Sequence, residues 1–186
     1  MSRTGKKMAQ HSRPHDDAPA PRAGEIALDT DPTVAAGDAR LVFIGRVHSP
    51  WKTRGEAPRN MAAAREAGGG ALVEIDAPYR RGLKGLAGFS HVIVLTWLGQ
   101  APRNLIVQSP RHTSGPRGVF ALRSPARPNP IGLHVAALEE LDAAAGRLRL
   151  DAIDALDGTP VLDIKPYFAT IDAFPAAHRP ADRQEG

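Results

Sequence analysis

The sequence predicts a mainly β domain, either a barrel or a sandwich, with one or two short helices and a disordered tail at each end. Short runs rich in β-branched and aromatic residues recur along its middle, and glycine or proline turns separate them. Hydrophobic residues make up 42% of the chain and aromatic residues only 5%, so we expect an aliphatic core of ordinary size. No glycine-rich fingerprint follows the first predicted strand, which argues against a Rossmann domain.

The two ends of the chain differ in composition from its middle. Residues 1–38 are rich in Pro, Ala, Asp and Arg and show little periodicity, which is typical of a disordered tail. Residues 173–186 have the composition of a second tail, so residues 39–172 are expected to form the domain. The sequence shows neither an apolar run of membrane-spanning length nor a signal peptide, and a cytoplasmic protein without membrane contact is the simplest interpretation.

The predicted strands follow one another with short connections. In chain order they are "LVFIGRVHSP", "ALVEIDAPY", "FSHVIVLTWL", "RGVFALRS", "IGLHVAALEEL", "GRLRLDAIDAL" and "VLDIKPYF". The fifth begins like a strand, although its second half also fits a helix. Residues 58–66 predict a short helix that the following glycine run would end, and a short turn is expected at residues 79–86.

Charge is distributed unevenly along the domain. Residues 46–127 contain 13 Lys or Arg against 4 Asp or Glu, whereas residues 128–172 contain 3 against 8. A basic half favours a polyanionic partner such as nucleic acid, and the alternative is that these residues only keep the protein soluble. The chain has no cysteine, which excludes a disulfide scaffold, a cysteine zinc site and a thiolate nucleophile.

The stretch "FALRSPARPNP", residues 120–130, combines two arginines with three prolines, and we call it the arginine loop. Each proline fixes its own φ and disfavours helix at the preceding residue, so the loop should be extended and stiff. Arg123 and Arg127 would then be held in place to bind a carboxylate or a phosphate, and Asn129 could read a base edge. The alternative is an ordinary proline-rich connection whose arginines pair with surface acids.

Four aspartates lie within 13 residues in "DAIDALDGTPVLD", which we call the acidic segment (residues 151–163). Asp157 precedes Gly-Thr-Pro and has the clearest role as a turn former. The spacing does not match an EF-hand, and a magnesium site is the less economical alternative to a carboxylate placed near a cation or an N–H proton. The histidines are scattered without the spacing of a metal site, so no metal is expected.

The residues alone therefore describe a basic, cysteine-free, β-rich domain with a stiff arginine loop and a group of carboxylates. A polar, basic loop also follows the first strand, at residues 50–60, where contacts are common. These features fit either an enzyme that acts on RNA or an RNA-binding barrel without catalysis, and they do not name a reaction.

Four stretches give the chain a family resemblance. They are "IGRVHSPWKTRGEAPRN", "RGLKGLAGFSHVIVLTWL", "GVFALRSPARPNPIGLHV" and "LDAIDALDGTPVLDIKPY". In this order and spacing they resemble the TsaA-like family, also called YaeB or TrmO, of S-adenosylmethionine-dependent tRNA methyltransferases. The resemblance implies a compact single-domain β-barrel that works as a homodimer, with the cofactor pocket at or near the subunit interface. It also implies N6-methylation of N6-threonylcarbamoyladenosine at tRNA position 37, in the anticodon loop.

The resemblance also implies functional residues. The expected cofactor contacts are Pro58, Arg59, Asn60, Gly99, Gln100, Arg123, Leu133, Asp151, Ala152, Ile153 and Asp154. The cofactor carries a sulfonium cation and a carboxylate, for which Asp154 and Arg123 are suitable partners, and Asp154 or Asp157 would act as the base. Arg127, Asn129 and Lys165 would contact the RNA. The alternatives are a non-catalytic RNA-binding barrel and a methyltransferase for a small molecule.

The chain departs from the family pattern at a few positions. The family usually has an aromatic–His pair where this chain has Leu98 and Gly99. It often has Ser at the position of His134 and Thr at the position of Leu122. These departures concern the tRNA substrate more than the cofactor.

Overall fold

The computed structural model describes residues 21–29, 40–110 and 115–178. Its regular elements are, in chain order, β1 (Ile26–Ala27), β2 (Gly45–His48), α1 (Met61–Glu66), β3 (Ala71–Ile75), β4 (His91–Trp97), β5 (Leu105–Gln108), β6 (Arg117–Gly118), β7 (Ile131–Asp142), β8 (Arg147–Leu150), β9 (Pro160–Pro166) and α2 (Ala169–Asp172). Two 3₁₀ helices lie at Ala77–Leu83 and Val119–Ala121. None of the helices in the described ranges is long and apolar enough to cross a membrane.

Six strands close into a barrel in the order β2-β3-β8-β7-β4-β9, which confirms the predicted mainly β barrel and excludes a sandwich. Neighbouring strands run antiparallel, with Val47 opposite Val73, Val73 opposite Leu148, and Val94 opposite His134. A closed sheet leaves no free edge along these strands. The strand β7, which also fitted a helix in part, is extended over its whole length.

The barrel interior follows from the alternation of the strand sequences. In β3 and β4 every second residue is buried, as expected when side chains alternate between the two faces of a strand. The fully buried side chains are mainly Val, Leu and Ile, so the predicted aliphatic core is confirmed. Its main members are Val47, Val73, Ile75, Val92, Val94, Leu148, Leu150, Ile153 and Val161.

A separate three-stranded sheet, in the order β1-β5-β6, differs from the sequence prediction in two ways. The sequence predicts no strand at β5, and it places β1 inside a disordered tail. In the structure Ile26 lies opposite Val107 and Ala27 opposite Leu105. Such short strands carry no readable periodicity, so only the pairing itself reveals them. Residues 1–20 and 30–38 of the predicted N-terminal tail, residues 39 and 111–114 of the predicted domain, and residues 179–186 of the predicted C-terminal tail lie outside the described residues.

Two further elements have different bounds from those predicted. The stretch "RGVFALRS" contributes only the short β6 and then a 3₁₀ helix, because Val119 turns into the interior and its carbonyl accepts from Leu122 N. The helix predicted over residues 58–66 begins at Met61, since the Asn60 side chain caps it by accepting from Ala63 N at 2.9 Å. The turn predicted at residues 79–86 overlaps the 3₁₀ helix Ala77–Leu83.

Candidate active site

Because neighbouring strands are antiparallel, alternate strands finish at opposite ends of the barrel. We call the end where β2, β4 and β8 finish and β3, β7 and β9 begin the upper end. The opposite one, where β3, β7 and β9 finish, is the lower end. The loops at residues 49–60, 98–104, 119–130 and 151–159 all connect to the upper end. The structure therefore gathers the first loop, the arginine loop and most of the acidic segment at one place.

Asp151 fastens α1 to the barrel. Arg65, in the last turn of α1, contacts Asp151 Oδ2 through Nε at 2.6 Å and donates through Nη2 to Val135 O at 2.7 Å. The other oxygen, Asp151 Oδ1, accepts from Ala137 N at 2.8 Å. Both oxygens of this predicted cofactor residue are thus engaged by the chain itself. Its main effect is to hold the first loop, with Pro58, Arg59 and Asn60, beside β7.

Asp157 is also committed to the fold. Its Oδ1 accepts from Ser49 N at 3.1 Å, and its Oδ2 lies 2.9 Å from Lys52 Nζ. The hydrogen bond from Lys52, followed by that from the Ser49 amide, lowers the pKa of the Asp157 carboxyl. A carboxylate with a lowered pKa is a weaker base. The contacts therefore support Asp157 as a structural residue of the turn rather than as the base.

Asp154 has different surroundings from its two neighbours. Its Oδ1 lies 2.6 Å from His134 Nδ1, and His134 Nε2 lies 2.9 Å from Thr96 Oγ1. His134 and Thr96 are 3% and 0% exposed, whereas the Asp154 side chain is 21% exposed. Asp154 Oδ2 has no hydrogen-bond partner among residues 21–29, 40–110 and 115–178. Asp154 is therefore a carboxylate with one anchored oxygen and one available oxygen.

Ala152 and Ile153, between these aspartates, are fully buried. Ile153 O accepts from Trp51 Nε1 at 2.7 Å, and Ile153 N donates to Gly69 O at 3.3 Å. These bonds join the acidic segment to the first loop and to the end of α1. The Trp51 contact is a site feature that the sequence does not reveal, since it links residues 102 positions apart.

Arg127 stiffens the arginine loop from within. Its Nε donates to Ser124 O at 2.8 Å, and its Nη2 donates to Val119 O at 2.8 Å and also to Leu122 O. The sequence predicts a phosphate contact for this residue, but three of its N–H groups bind the loop's own carbonyls. The alternative prediction was an ion pair with a surface acid, and Arg127 forms none in the described part of the chain. Its position explains how the loop keeps its shape.

Arg123 is the exposed arginine of the same loop. Its Nη2 donates to Leu133 O at 3.1 Å, which places the guanidinium along the outer edge of β7. This is its single hydrogen bond within the described part of the chain, so most of its N–H groups remain available. Leu133 is itself exposed on the outer face of β7. The structure thus brings Arg123 and Leu133 together, as the prediction of a shared site requires.

Two residues that the sequence does not single out attach the arginine loop to its surroundings. Arg103 donates through Nε to Pro128 O at 2.8 Å, approaches Asn129 Oδ1 through Nη2 at 3.5 Å, and lies 5.2 Å from the Trp97 ring centre. Gln108 on β5 donates to Ala126 O. Leu98 N donates to Pro130 O at 2.8 Å, which brings the exposed Gly99 and Gln100 beside the loop.

Lys165 lies away from this group. It follows Ile164 near the end of β9 and is opposite Ile93, whereas Val161 at the upper end is opposite Thr96. Four residues of strand separate these two positions, which corresponds to about 13 Å. Lys165 Nζ also pairs with Asp163 Oδ2 at 2.7 Å. Lys165, which the family resemblance predicts as an RNA contact, therefore lies near the lower end and apart from the arginine loop.

A groove of about 890 Å³ runs over the outside of β3 and β8, from Asp157 at the upper end to Asp142 and Arg147 at the lower end. Two of its cations are paired, Lys52 with Asp157 and Arg149 with Glu140 at 2.7 Å. Because its charges are partly neutralised, it is a poor candidate for a polyanion site. The predicted cofactor residues are not among those that line it. Within the described ranges, no group of three or more His, Cys, Asp or Glu side chains is arranged to hold a metal ion.

Comparisons with known proteins show what the chain is similar to. Residues 46–173 match the model of the tRNA-methyltransferase O N-terminal domain. The chain is 44% identical over 137 residues to a probable S-adenosyl-L-methionine-binding protein of Methanothermobacter thermautotrophicus, over 74% of this chain and 96% of that protein. It is 37% identical over 142 residues to the tRNA (adenine(37)-N6)-methyltransferase of Escherichia coli, over 72% of this chain and 60% of that protein.

A solved structure, TrmO from Pseudomonas aeruginosa, superposes with a TM-score of 0.63 and 37% identity, covering 78% of this chain and 64% of that one. The chain thus spans less than two thirds of the E. coli protein and of the P. aeruginosa structure.

Proposed function

The chain belongs to the family defined by the tRNA-methyltransferase O N-terminal domain, and from this premise we propose that it is an S-adenosylmethionine-dependent methyltransferase that acts on an adenine of tRNA. The observation that carries the proposal is that an available guanidinium, Arg123, and an available carboxylate, Asp154, both belong to the upper end of the barrel, where they contact the successive β7 residues Leu133 and His134. The name of the E. coli relative, a tRNA (adenine(37)-N6)-methyltransferase, supports the same reaction.

The side chains present fit the cofactor. S-adenosylmethionine supplies a methyl group on a sulfonium sulfur when it is bound, and it also carries a carboxylate. Arg123 would bind that carboxylate, since a guanidinium forms paired hydrogen bonds with it. The exposed Gly99, Gln100 and Leu133 would line the same site, and Pro58, Arg59 and Asn60 would close it from the first loop. No cysteine or metal is required for this chemistry.

Asp154 is the proposed base. The nitrogen that receives a methyl group must release a proton, and Asp154 Oδ2 can accept it while Oδ1 stays bound to His134. Asp157 and Asp151 are poorer candidates because both of their oxygens already have partners. The protein otherwise contributes by holding donor and acceptor in line.

A homodimer would complete this site. Phe120, three residues before Arg123, is 89% exposed, and Leu133, whose carbonyl accepts from Arg123, is exposed together with Ile131, so exposed apolar side chains flank Arg123 in the chain and across this contact. Large exposed apolar side chains are typical of an interaction surface. A second copy of the chain seated here would cover the predicted cofactor residues Arg123 and Leu133, which are exposed on a single chain.

The RNA would be held by cations other than Lys165. Arg54 and Arg59, in the basic first loop, form no ion pair with an acid in the described part of the chain, and both belong to the upper end. They would bind phosphates of the tRNA anticodon loop, with Asn129 contacting the bases. The proposed target is N6-threonylcarbamoyladenosine at position 37, in a cytoplasmic protein.

Nucleoside mass spectrometry tests the proposal. Purified protein is incubated with S-adenosylmethionine and threonine-specific tRNA, with and without the threonylcarbamoyl group. We expect a gain of one CH₂ unit on the modified adenosine alone. A gain on other nucleosides would change the target, and cofactor binding without any tRNA product would favour a small-molecule substrate. Salt-sensitive tRNA binding without cofactor binding would favour a non-catalytic RNA-binding barrel.

A further inference from the structure

We propose that His134 and Thr96 are positioning residues that hold Asp154, through a buried hydrogen-bond chain inside the barrel, with its second oxygen directed away for the reaction. The inference rests on the proposed function, in which Asp154 is the base. It adds two residues that the sequence does not mark as functional.

The polar chain lies in an otherwise aliphatic interior. Thr96 is 0% and His134 3% exposed, and the adjacent inward-facing residues Val94 and Ala136 are fully buried. A buried hydroxyl or imidazole without a partner is costly, so such groups are normally hydrogen-bonded. In the described residues no buried side-chain nitrogen or oxygen lacks a partner. Valine at 96 and leucine at 134 would fill such a core more simply, so the polar residues call for a role beyond packing.

The strand register allows this contact. Thr96 on β4 lies opposite Gly132 on β7, and His134 is two residues further along the same inward face. A Cβ atom at Gly132 would lie only 2.3 Å from Thr96 Oγ1 and 2.7 Å from His134 Nε2. Glycine at this position therefore makes the space in which the hydroxyl and the imidazole meet.

The partners fix the proton positions in neutral His134. The carboxylate of Asp154 can only accept, so His134 Nδ1 carries the proton of the 2.6 Å bond. His134 Nε2 then accepts from the Thr96 hydroxyl at 2.9 Å. The Asp154 carboxylate sets the tautomer, and the Thr96 hydroxyl stabilises it by donating to Nε2, so the ring holds its N–H against Asp154 Oδ1. The second oxygen, Oδ2, is left without a partner in the part of the chain that the structure describes.

Amide substitutions at position 134 distinguish positioning from simple packing. In His134→Asn the side-chain N–H replaces Nδ1 and can still donate to Asp154, whereas in His134→Gln the amide replaces Nε2 instead. We expect kcat for tRNA methylation to fall about 10- to 100-fold in His134→Ala and His134→Gln, with the KM for S-adenosylmethionine near the wild-type value, because displacing a reacting group by about 1 Å has effects of this size. His134→Asn should recover most of the lost activity.

Two further variants complete the experiment. Thr96→Val keeps the shape of the side chain and removes the hydroxyl, so we expect a smaller fall in kcat. His91→Asn on the same strand is the matched control, because His91 Nδ1 contacts Ser90 Oγ near the lower end, and kcat should be unchanged. Circular dichroism and thermal unfolding of each variant show which ones remain folded.

Nitrogen-15 NMR of the histidine side chains tests the geometry without any activity. We expect His134 to be protonated at Nδ1 and unprotonated at Nε2 in the wild type, and Thr96→Val to weaken that preference. The opposite tautomer would overturn the proposal, as would a folded His134→Ala with wild-type kcat or equal rescue by Asn and Gln. If the wild type transfers no methyl group to tRNA, the proposed function fails and the positioning role fails with it, whereas the tautomer measurement still reports the hydrogen-bond chain.

Discussion

The two ends of the barrel are closed by different kinds of side chain. At the lower end the 3₁₀ helix Ala77–Leu83 and the residues after it place Leu83 and Leu86 in the core, with Phe89 packed against them. The upper end is closed partly by polar side chains. Thr96 on β4 contacts His134 on β7, and His134 contacts Asp154 of the acidic segment. The apolar side chains at the lower end stabilise the barrel. The polar side chains at the upper end replace apolar packing and hold the Asp154 carboxylate.

The same division of labour appears within the upper end. Three charged residues near the site are already bound by other parts of the chain. Asp151 forms an ion pair with Arg65, Asp157 forms one with Lys52, and Arg127 donates hydrogen bonds to backbone carbonyls. Arg123 and Asp154 keep free hydrogen-bonding capacity. A count of charges in the sequence therefore overestimates the number of functional ones, and the partners of each decide which remain available.

The largest expected effect concerns catalysis at the upper end, with a carboxylate in the middle of β9 as the comparison. Asp154→Asn keeps the size of the side chain and removes the base, so kcat for methyl transfer should fall about 10²- to 10⁴-fold. Asp163→Asn, which removes the partner of Lys165 on β9, should leave kcat nearly unchanged. Transfer of a radiolabelled methyl group to tRNA measures both. Wild-type turnover by Asp154→Asn would show that another group accepts the proton.

The next largest expected effect is a loss of stability when the apolar packing at the lower end is reduced. Leu83→Ala removes a side chain that is only 5% exposed, so the free energy of unfolding should fall by about 2–5 kcal/mol. Urea denaturation measures it, and the folded fraction should keep its kcat. Ile171→Ala is the control, because Ile171 is 66% exposed in α2 and its truncation should change stability by about 0.5 kcal/mol or less. A large loss of kcat in folded Leu83→Ala would contradict the separation of the two ends.

The two arginines of the arginine loop should separate binding from stability. Arg123→Ala should weaken S-adenosylmethionine binding about 10- to 100-fold, which corresponds to the loss of a charged hydrogen bond, with little change in unfolding. Arg127→Ala should instead lower the free energy of unfolding by about 1–3 kcal/mol, because Val119 O, Leu122 O and Ser124 O lose their donor. Isothermal titration calorimetry and urea denaturation give the two quantities, and equal effects of both substitutions on both quantities would refute the distinction.

The smallest expected effect is a pH dependence in the outer sheet beside the upper end. Side-chain and backbone hydrogen bonds from Arg22 lower the pKa of the Glu25 carboxyl from 4.5 to about 2. A hydrogen bond from Ser109 N to Glu25 Oε1 contributes less to this lowering. Because the folded pKa is lowered, this attachment of β1 is fully present above pH 4.5 and is lost as the pH falls towards about 2. The hydrogen-exchange protection factors of the Ile26 and Ala27 amides, taken relative to intrinsic exchange at each pH, should fall over that range. Glu25→Gln should remove the dependence, and an unchanged profile in that variant would assign it to other groups.

Much of the barrel could be predicted from the sequence, because period-two alternation in "ALVEI" and "HVIVLTW" determines which side chains face inward. The arginine loop and the acidic segment were identifiable from composition, and the family resemblance placed them in one site. The partners of their charges were not predictable. His134 meets Thr96 across 38 residues only because of the β4–β7 register, and β1 meets β5 through two residues without any pattern. The position of Lys165 near the lower end was not predictable for the same reason, since sequence proximity to the acidic segment does not reveal that β9 runs to that end.

Gly132 limits which substitutions the barrel can accept during evolution. Since the Thr96 hydroxyl and the His134 imidazole occupy the space in front of its Cα, a side chain at position 132 requires one of the other two to become smaller. Substitutions at positions 96, 132 and 134 should therefore be correlated among relatives, so that a lineage with a larger residue at 132 also has a shorter one at 134. A lineage that has lost the glycine would then also have lost the hydrogen-bond chain to Asp154, and it would need a different way to orient that carboxylate.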